Sequence, residues 1–357
     1  MDIFQSQLMD WYQQHDRPLP WKEEKDPYLI WLSEIILQQT RVAQGLPYFE
    51  KFKAHYPDVA SLANAPSDEV MKLWEGLGYY SRARNMHATA KYISEELGGK
   101  FPSTYKEILS LKGVGPYTAA AISSFAFDLP HAVVDGNVYR VLARYFGIDT
   151  PIDQTQGKKR FAELAQALLD TSQPGRYNQA IMDFGAVQCV PKSPKCKQCP
   201  LQDCCQAFQE DQVQRYPIKS KKLVKKDRFF HFLVFDHEGS TFVQKRESKD
   251  IWLHLYQFPL IESDQFINTF AELQGQEQWP DWIAQTDLED WSLSRPFKQE
   301  LTHQRIHAFF FKIALKTPPK SIPPEFLITE RENLTKFAFP KIIDLYLKDN
   351  SLYLKLL

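Results

Sequence analysis

The sequence predicts a multi-domain chain, with an all-α region through about residue 214 followed by a smaller α+β region. Three observations carry that prediction. Before residue 215 apolar residues recur at helical spacing, and after it the pattern shortens to the alternation of strands. Near the junction, four cysteines occur as C-x6-C-x2-C-x5-C, at Cys189, Cys196, Cys199 and Cys205, within 17 residues. A length of 357 residues suits two domains rather than one.

The N-terminal MDIFQSQLMDWYQQ lacks the basic-then-apolar layout of a secretion signal and reads as a first amphipathic helix. Helical spacing recurs in YLIWLSEIILQQT at 28–40, VAQGLPYFEKFKAHY at 42–56 and KRFAELAQALLD at 159–170. Two further helical segments, TYKEILSL and YTAAAISSF, flank a short G-V-G corner. Gly113 and Gly115 permit a tight backbone there, and Pro116 suits the first turn of the following helix. This is a helix-hairpin-helix. The exposed amides of Gly113, Val114 and Gly115 are suited to binding a phosphate without reading bases. The competing reading is a plain helix–helix corner. Beyond it, AVVDGNVYRVLARYFG places Asp135 just before a helix, where an N-cap is the default role.

RYPIKSKKLVKKDR at 215–228 holds seven basic residues and no apolar period. It reads as a solvated linker, with a phosphate-touching strap as the alternative. FFHFLVF at 229–235, then DHEG, then STFVQKR reads as a hairpin of two strands. HAFFFKIAL at 307–315 is another strand, and PKIIDLYLKD at 340–349 a closing helix. There is no internal repeat.

Composition narrows the classes. Hydrophobic content of 43% with 24% charged residues describes ordinary globular protein. No run approaches the 18 or so apolar residues of a membrane span. The net charge of −1 means that any basic surface is local. The only other cysteine, Cys204, lies in the same cluster, so the cysteines are not a scattered disulfide framework. Four clustered thiols point to a metal or an iron–sulfur cluster. Zinc accepts four cysteines but usually between two short C-x2-C arms, and here there is one. The uneven spacing suits a [4Fe–4S] cube, with zinc as the rival.

In combination, the helix-hairpin-helix, the V-D-G-N-V-x-R-V segment and the cysteine set resemble the endonuclease III superfamily. Within it, the chain closely resembles the MutY family of adenine DNA glycosylases. RPLPW at 17–21, SEIILQQTRV at 33–42 and WEGLGYYSRARN at 74–85 extend the likeness, and LYQFP at 255–259 carries it more weakly into the second half. The resemblance implies an all-α helix-hairpin-helix glycosylase domain with an iron–sulfur cluster loop, plus a C-terminal α+β MutT-like domain. Its implied organisation is a helical catalytic region at 1–214, a basic linker at 215–228 and a lesion-recognition domain at 229–357. The first region would comprise a six-helix module of about 24–137 and a cluster module of about 1–23 and 138–214. The MutT hydrolase signature is absent, so nucleotide hydrolysis is not expected.

The chemistry separates branches. Lyase relatives carry a lysine just after the hairpin that forms a Schiff base, and here Tyr117 stands in its place. A phenol cannot form an imine, which leaves hydrolysis by water. That needs an acid for the leaving base and a negative charge beside the oxocarbenium-like sugar. The resemblance assigns Glu34 to protonate adenine and then activate water, and Asp135 to stabilise the cation, with a covalent adduct left open. Asn137 and Tyr117 would orient them. Arg17, Leu19, Trp21 and Gln179 would form the base pocket, and Gln39 and Tyr79 would fill the gap left by the flipped base. Leu301-Thr302-His303 is the best match to the family's F-S-H lesion-reading loop, with His307 as competitor. The expected partner is double-stranded DNA with adenine opposite 8-oxoguanine or guanine, and the expected state is a cytoplasmic monomer. Two alternatives stay open, a bifunctional glycosylase/lyase and a non-catalytic DNA-binding redox sensor.

Overall fold

The computed structural model describes residues 3–15, 17–220, 224–283 and 286–349. Two compact units divide the chain. One comprises Met1–Asn64 with Asn85–Lys222, and the other Ala65–Arg84 with Leu223–Leu357.

The first unit is helical. Asp26 caps the helix Pro27–Leu37 by accepting from the Tyr28 amide at 2.9 Å, and Pro27 occupies its first turn. Nine of its eleven residues are buried, which makes it a core helix rather than an amphipathic surface one. The helix Pro116–Phe127 packs against it and is likewise buried from Thr118 to Phe125. The helix Tyr105–Ser110 opens with a capping box between Thr104 and Glu107. The hairpin between these last two helices needs its first glycine. Gly113 has φ +81°, and a Cβ there would lie 2.8 Å from the Cβ of Asn85. Helices Ile3–Gln14, Gly136–Tyr145, Thr155–Ala167 and Pro174–Asp183 complete the frame of the site, the last running on into a π-turn at Phe184–Gln188.

The second unit holds two sheets. Its strands are β1 (Lys226–Asp236), β2 (Ser240–Lys245), β3 (Tyr256–Gln257), β4 (Leu260–Ser263), β5 (Leu288–Leu293), β6 (Phe297–Glu300), β7 (Gln304–Leu315) and β8 (Phe326–Glu330). The larger sheet runs β4-β1-β7-β5 with β6 also on β7, and the smaller runs β3-β2-β8. β1 and β7 are parallel, and their apolar runs build a core around Leu233, Phe235, Phe311 and Ile313. The closing helix Lys341–Asp349 stacks Tyr346 on Phe310 at 3.8 Å.

Two expectations change. β1 and β2 do not form a two-stranded hairpin, because they belong to different sheets and only a His237–Ser240 bridge joins them. β1 is buried from Phe230 to Phe235 and uses both edges, pairing β4 on one and β7 on the other. A run buried on both faces suits an interior strand, not one arm of a ribbon. Second, residues 65–84 group with the strand-rich half rather than with the helical region. Lys72 donates to the Phe337 carbonyl at 2.8 Å, Glu75 accepts from the Phe339 amide at 2.8 Å and Tyr256 donates to Asp68 at 3.0 Å. Lys245 also pairs with Asp68. Among the described residues, no helix is long and apolar enough to cross a membrane.

Candidate active site

A cleft of about 760 Å³ opens in the helical unit, within the ~300–1,000 Å³ range of ligand sites. Arg17, Leu19 and Trp21 line it, as do Gln39 and Gln179. Glu34, Tyr117, Asp135 and Asn137 line it too. The structure therefore gathers these nine residues, which span positions 17 to 179 of the chain, around one cavity.

Glu34 sits in the core helix and is only 6% exposed. Burial pushes its carboxyl up from 4.5 to about 7, aided by the nearby Asp135 charge and opposed by a hydrogen bond from Tyr117. The Tyr117 hydroxyl is itself pushed well up, first by burial and then by the charges of Glu34 and Asp135. Asp135 is both a helix cap and a cleft residue. Its Oδ1 accepts from the amides of Asn137 and Val138, each at 2.8 Å, and its Oδ2 from the Asn137 side chain at 2.8 Å. Burial raises the Asp135 carboxyl, while these donors and Arg140 oppose the rise. The pair is thus one buried acid raised to about 7 and a second carboxyl held by three donors.

Several supporting residues escaped sequence reasoning. Asp183 lines the same cleft and is 4% exposed. It pairs with Lys22 at 2.5 Å and Arg17 at 3.3 Å, fixing the Arg17 wall. Arg140 donates to Asn137 Oδ1 at 2.8 Å and to the Cys189 carbonyl at 2.7 Å, tying the aspartate's helix to the cysteine loop. The arginine of V-x-R-V was a signal for that link. Gly185 lets this loop approach, since a Cβ there would lie 2.6 Å from Asn137 Cβ.

The four spaced cysteines line a second, small cavity of about 30 Å³ with Arg144, and exposed Cys204 does not. Arg144 donates to Cys189 Sγ at 3.4 Å and to the Val190 carbonyl at 2.8 Å. Burial and the neighbouring thiolates push up Cys196 and Cys205, and bring Cys199 to about 12. Four sulfurs gathered around one cavity repel one another as thiolates unless positive charge lies among them, so the donor set fits a cationic group. Among the described residues, no three His, Cys, Asp or Glu side chains converge tightly enough to hold a single metal ion. The sulfurs surround a cavity rather than a point.

The second unit carries the other candidates. Leu301, Thr302 and His303 form the tight turn between β6 and β7, closed by Leu301 N–H to the Gln304 carbonyl at 2.8 Å. Thr302 Oγ1 and the Tyr79 hydroxyl share a hydrogen bond at 2.9 Å. Tyr79 is 46% exposed with φ +48°, and Arg82 lies 5.5 Å from its ring. His307 lies inside β7, stacked on Phe229 and bonded to Asp227 at 2.7 Å. His303 is exposed.

Comparison with known proteins accords with this architecture. Residues 32–167 match the HhH-GPD superfamily base excision DNA repair protein family, and residues 230–349 match the NUDIX domain. An adenine DNA glycosylase from Buchnera aphidicola subsp. Schizaphis graminum is 38% identical over 72% of this chain and 74% of its own length. Another, from Buchnera aphidicola subsp. Baizongia pistaciae, is 34% identical over 85% of this chain and 84% of its own. A solved thermostable thymine-DNA glycosylase is 32% identical, with TM-score 0.55, covering 58% of this chain and 96% of that one. With identity of this extent over most of both chains, and a helix-hairpin-helix glycosylase match followed by a NUDIX-domain match, the chain belongs to the adenine DNA glycosylase family.

Proposed function

We propose that the chain is a monofunctional glycosylase acting on double-stranded DNA, hydrolysing the N-glycosidic bond of adenine opposite 8-oxoguanine and opposite guanine. The observation that carries this reading is Glu34, a buried acid raised to about 7, in the same cleft as Asp135 with a tyrosine at the lyase-lysine position. Near neutrality Glu34 holds a proton that it gives to the flipped base. The C1′–N bond breaks and its electron pair leaves with the base. Asp135 stabilises the positive sugar from the cleft wall. Water then adds to C1′ and returns its proton to the Glu34 carboxylate. Tyr117 and Asn137 hold the two carboxyl groups by the hydrogen bonds described above.

Arg17, Leu19, Trp21 and Gln179 form the base pocket, and Gln39 and Tyr79 fill the vacated stack. The hairpin amides of Gly113 and Gly115 take a backbone phosphate, whereas the expected third donor, the Val114 amide, is turned inward to the Leu111 carbonyl at 3.1 Å. Thr302 and His303 read the opposite base, with Leu301 packing beside them. Cys189, Cys196, Cys199 and Cys205 would hold a [4Fe–4S] cluster, supported by their spacing and shared cavity. When bound, it would cross-link the loop that Arg140 ties to Asn137.

Single-turnover base release tests the reading, using duplexes with adenine opposite 8-oxoguanine and opposite guanine. Release of adenine without a borohydride-trapped adduct is expected. A borohydride-trapped adduct in the wild type would favour the lyase alternative, through an amine elsewhere in the cleft, and absence of any release would leave only the DNA-binding one.

A further inference from the structure

The segment that delivers Asp135 to the cleft has no regular secondary structure of its own. It leaves the helix Pro116–Phe127 and runs through residues 128–134 to the Asp135 cap. Its backbone groups must be satisfied some other way. Two side-chain amides do this, one on each edge. Gln166 donates to the Pro130 carbonyl at 2.9 Å and accepts from the Ala132 amide at 3.0 Å. Asn178 donates to the His131 carbonyl at 2.8 Å and accepts from the Val133 amide at 3.1 Å. The two amides stand where neighbouring strands would. Gln166 is exposed, but Asn178 is only 1% exposed and also donates to buried Ser124 Oγ at 2.9 Å.

Asn178 has a second consequence. The next residue of its helix, Gln179, lines the cleft, and so do Val134 and Asp135 at the end of the clamped segment. One side chain therefore sets two cleft walls in register. Only an amide supplies the acceptor and the two donors this site uses. A carboxylate would accept from Val133 but would face the His131 carbonyl with no proton to share.

We propose that Asn178 is a positioning residue for Asp135, with Gln166 as the weaker outer clamp. The proposal rests on the role given to Asp135 above. Misplacing a reacting group by about 1 Å costs up to about 10²-fold. Asn178→Ala should therefore lower single-turnover adenine excision from an 8-oxoguanine duplex by ~10- to 100-fold. Duplex affinity should stay within about threefold, since Asn178 is buried and its loss acts on the catalytic step rather than on uniform binding.

The discriminating readout is a double-mutant cycle with Asp135→Asn. If Asn178 acts through Asp135, the Asn178→Ala loss should shrink to under about threefold in the Asp135→Asn background, because coupled residues are not additive. A general loosening of the fold would cost the same in both backgrounds. Should Asn178→Ala fail to fold, Gln166→Ala at the exposed edge carries the same test, with a smaller loss that also vanishes in Asp135→Asn. Near-normal excision in both variants, an undiminished loss in Asp135→Asn, or affinity falling in step with rate would overturn the proposal. Normal excision by Asp135→Asn alone would overturn the proposal and the Asp135 role together. An inactive Asp135→Asn with intact Asn178 and Gln166 variants would sink this proposal alone.

Discussion

Replacing Glu34 by Gln should damage catalysis and improve stability at once. The side chain keeps its size, and its Oε1 can still accept the Tyr117 hydroxyl bond, but the acidic proton is gone. A positioned acid supplies about 10²–10⁴-fold, so single-turnover excision should fall by that factor. The stability effect follows from the same burial. The folded carboxyl is raised from 4.5 to about 7, so the fold disfavours the charged form. Stability is full below the unfolded value of 4.5 and is lost as pH rises through about 7. Above that the loss is roughly 3 kcal/mol as an order of magnitude. Gln carries no charge, so the variant should melt above the wild type at pH 8. About 2–4 °C per kcal/mol is the scale for a unit of this size. At pH 4 the two should converge. Wild-type excision should decline as pH rises through about 7, as the acid loses its proton. Melting curves at pH 4 and 8, paired with excision of adenine opposite 8-oxoguanine, test all of this. A variant that is active, or that melts below the wild type at pH 8, would refute the reasoning.

Purified protein should hold four iron and four sulfide per chain if the cube of four cysteines is correct, without stoichiometric zinc. Cys204→Ser should keep that iron, because Cys204 lies outside the thiol-lined cavity, and Cys205→Ser should lose it. The opposite pattern would exchange their roles. Thr302→Ala with His303→Ala should reduce the preference for 8-oxoguanine over guanine opposite adenine, by about 1–3 kcal/mol per lost bond. An unchanged ratio, measured on the two duplexes side by side, removes the turn from lesion reading. The fully buried His231 accepts from the Ile267 amide at 3.1 Å, and burial pushes its ring down from 6.5 to about 4. The strand-rich unit should therefore lose stability as pH falls from 6.5 towards 4, by roughly 3 kcal/mol at most. His231→Gln should flatten that slope, and an unaltered slope in denaturant titrations would assign the acid sensitivity elsewhere.

Local chemistry made much of this protein legible. Helical spacing, Pro27 and Pro116 in first turns, the Gly113 corner and the Asp135 cap all depend on neighbours within about one helical turn. The cysteine spacing is equally local, and it sets Cys205 apart from its exposed neighbour Cys204. The switch of period near residue 215 marked the change from helices to strands. Other features were settled only by packing. The sequence around Glu34 shows an acid in an apolar helix, but its raised carboxyl comes first from burial in the folded core, with the distant Asp135 charge adding to the rise and the Tyr117 bond opposing it. Asp183 finds Lys22 across 161 positions, and Asn178 finds Val133 across 45. The apolar run of β1 and the turn after it suggested a hairpin. Whether a strand uses one edge or two depends on partners such as β7, which no local period encodes. Residues 65–84 lie inside the six-helix module that the resemblance implies, and hydrogen bonds to Phe337, Phe339 and Tyr256 join them instead to the strand-rich unit. Backbone preference acts between adjacent residues. Burial and ion pairing act between surfaces that meet only when the chain has folded.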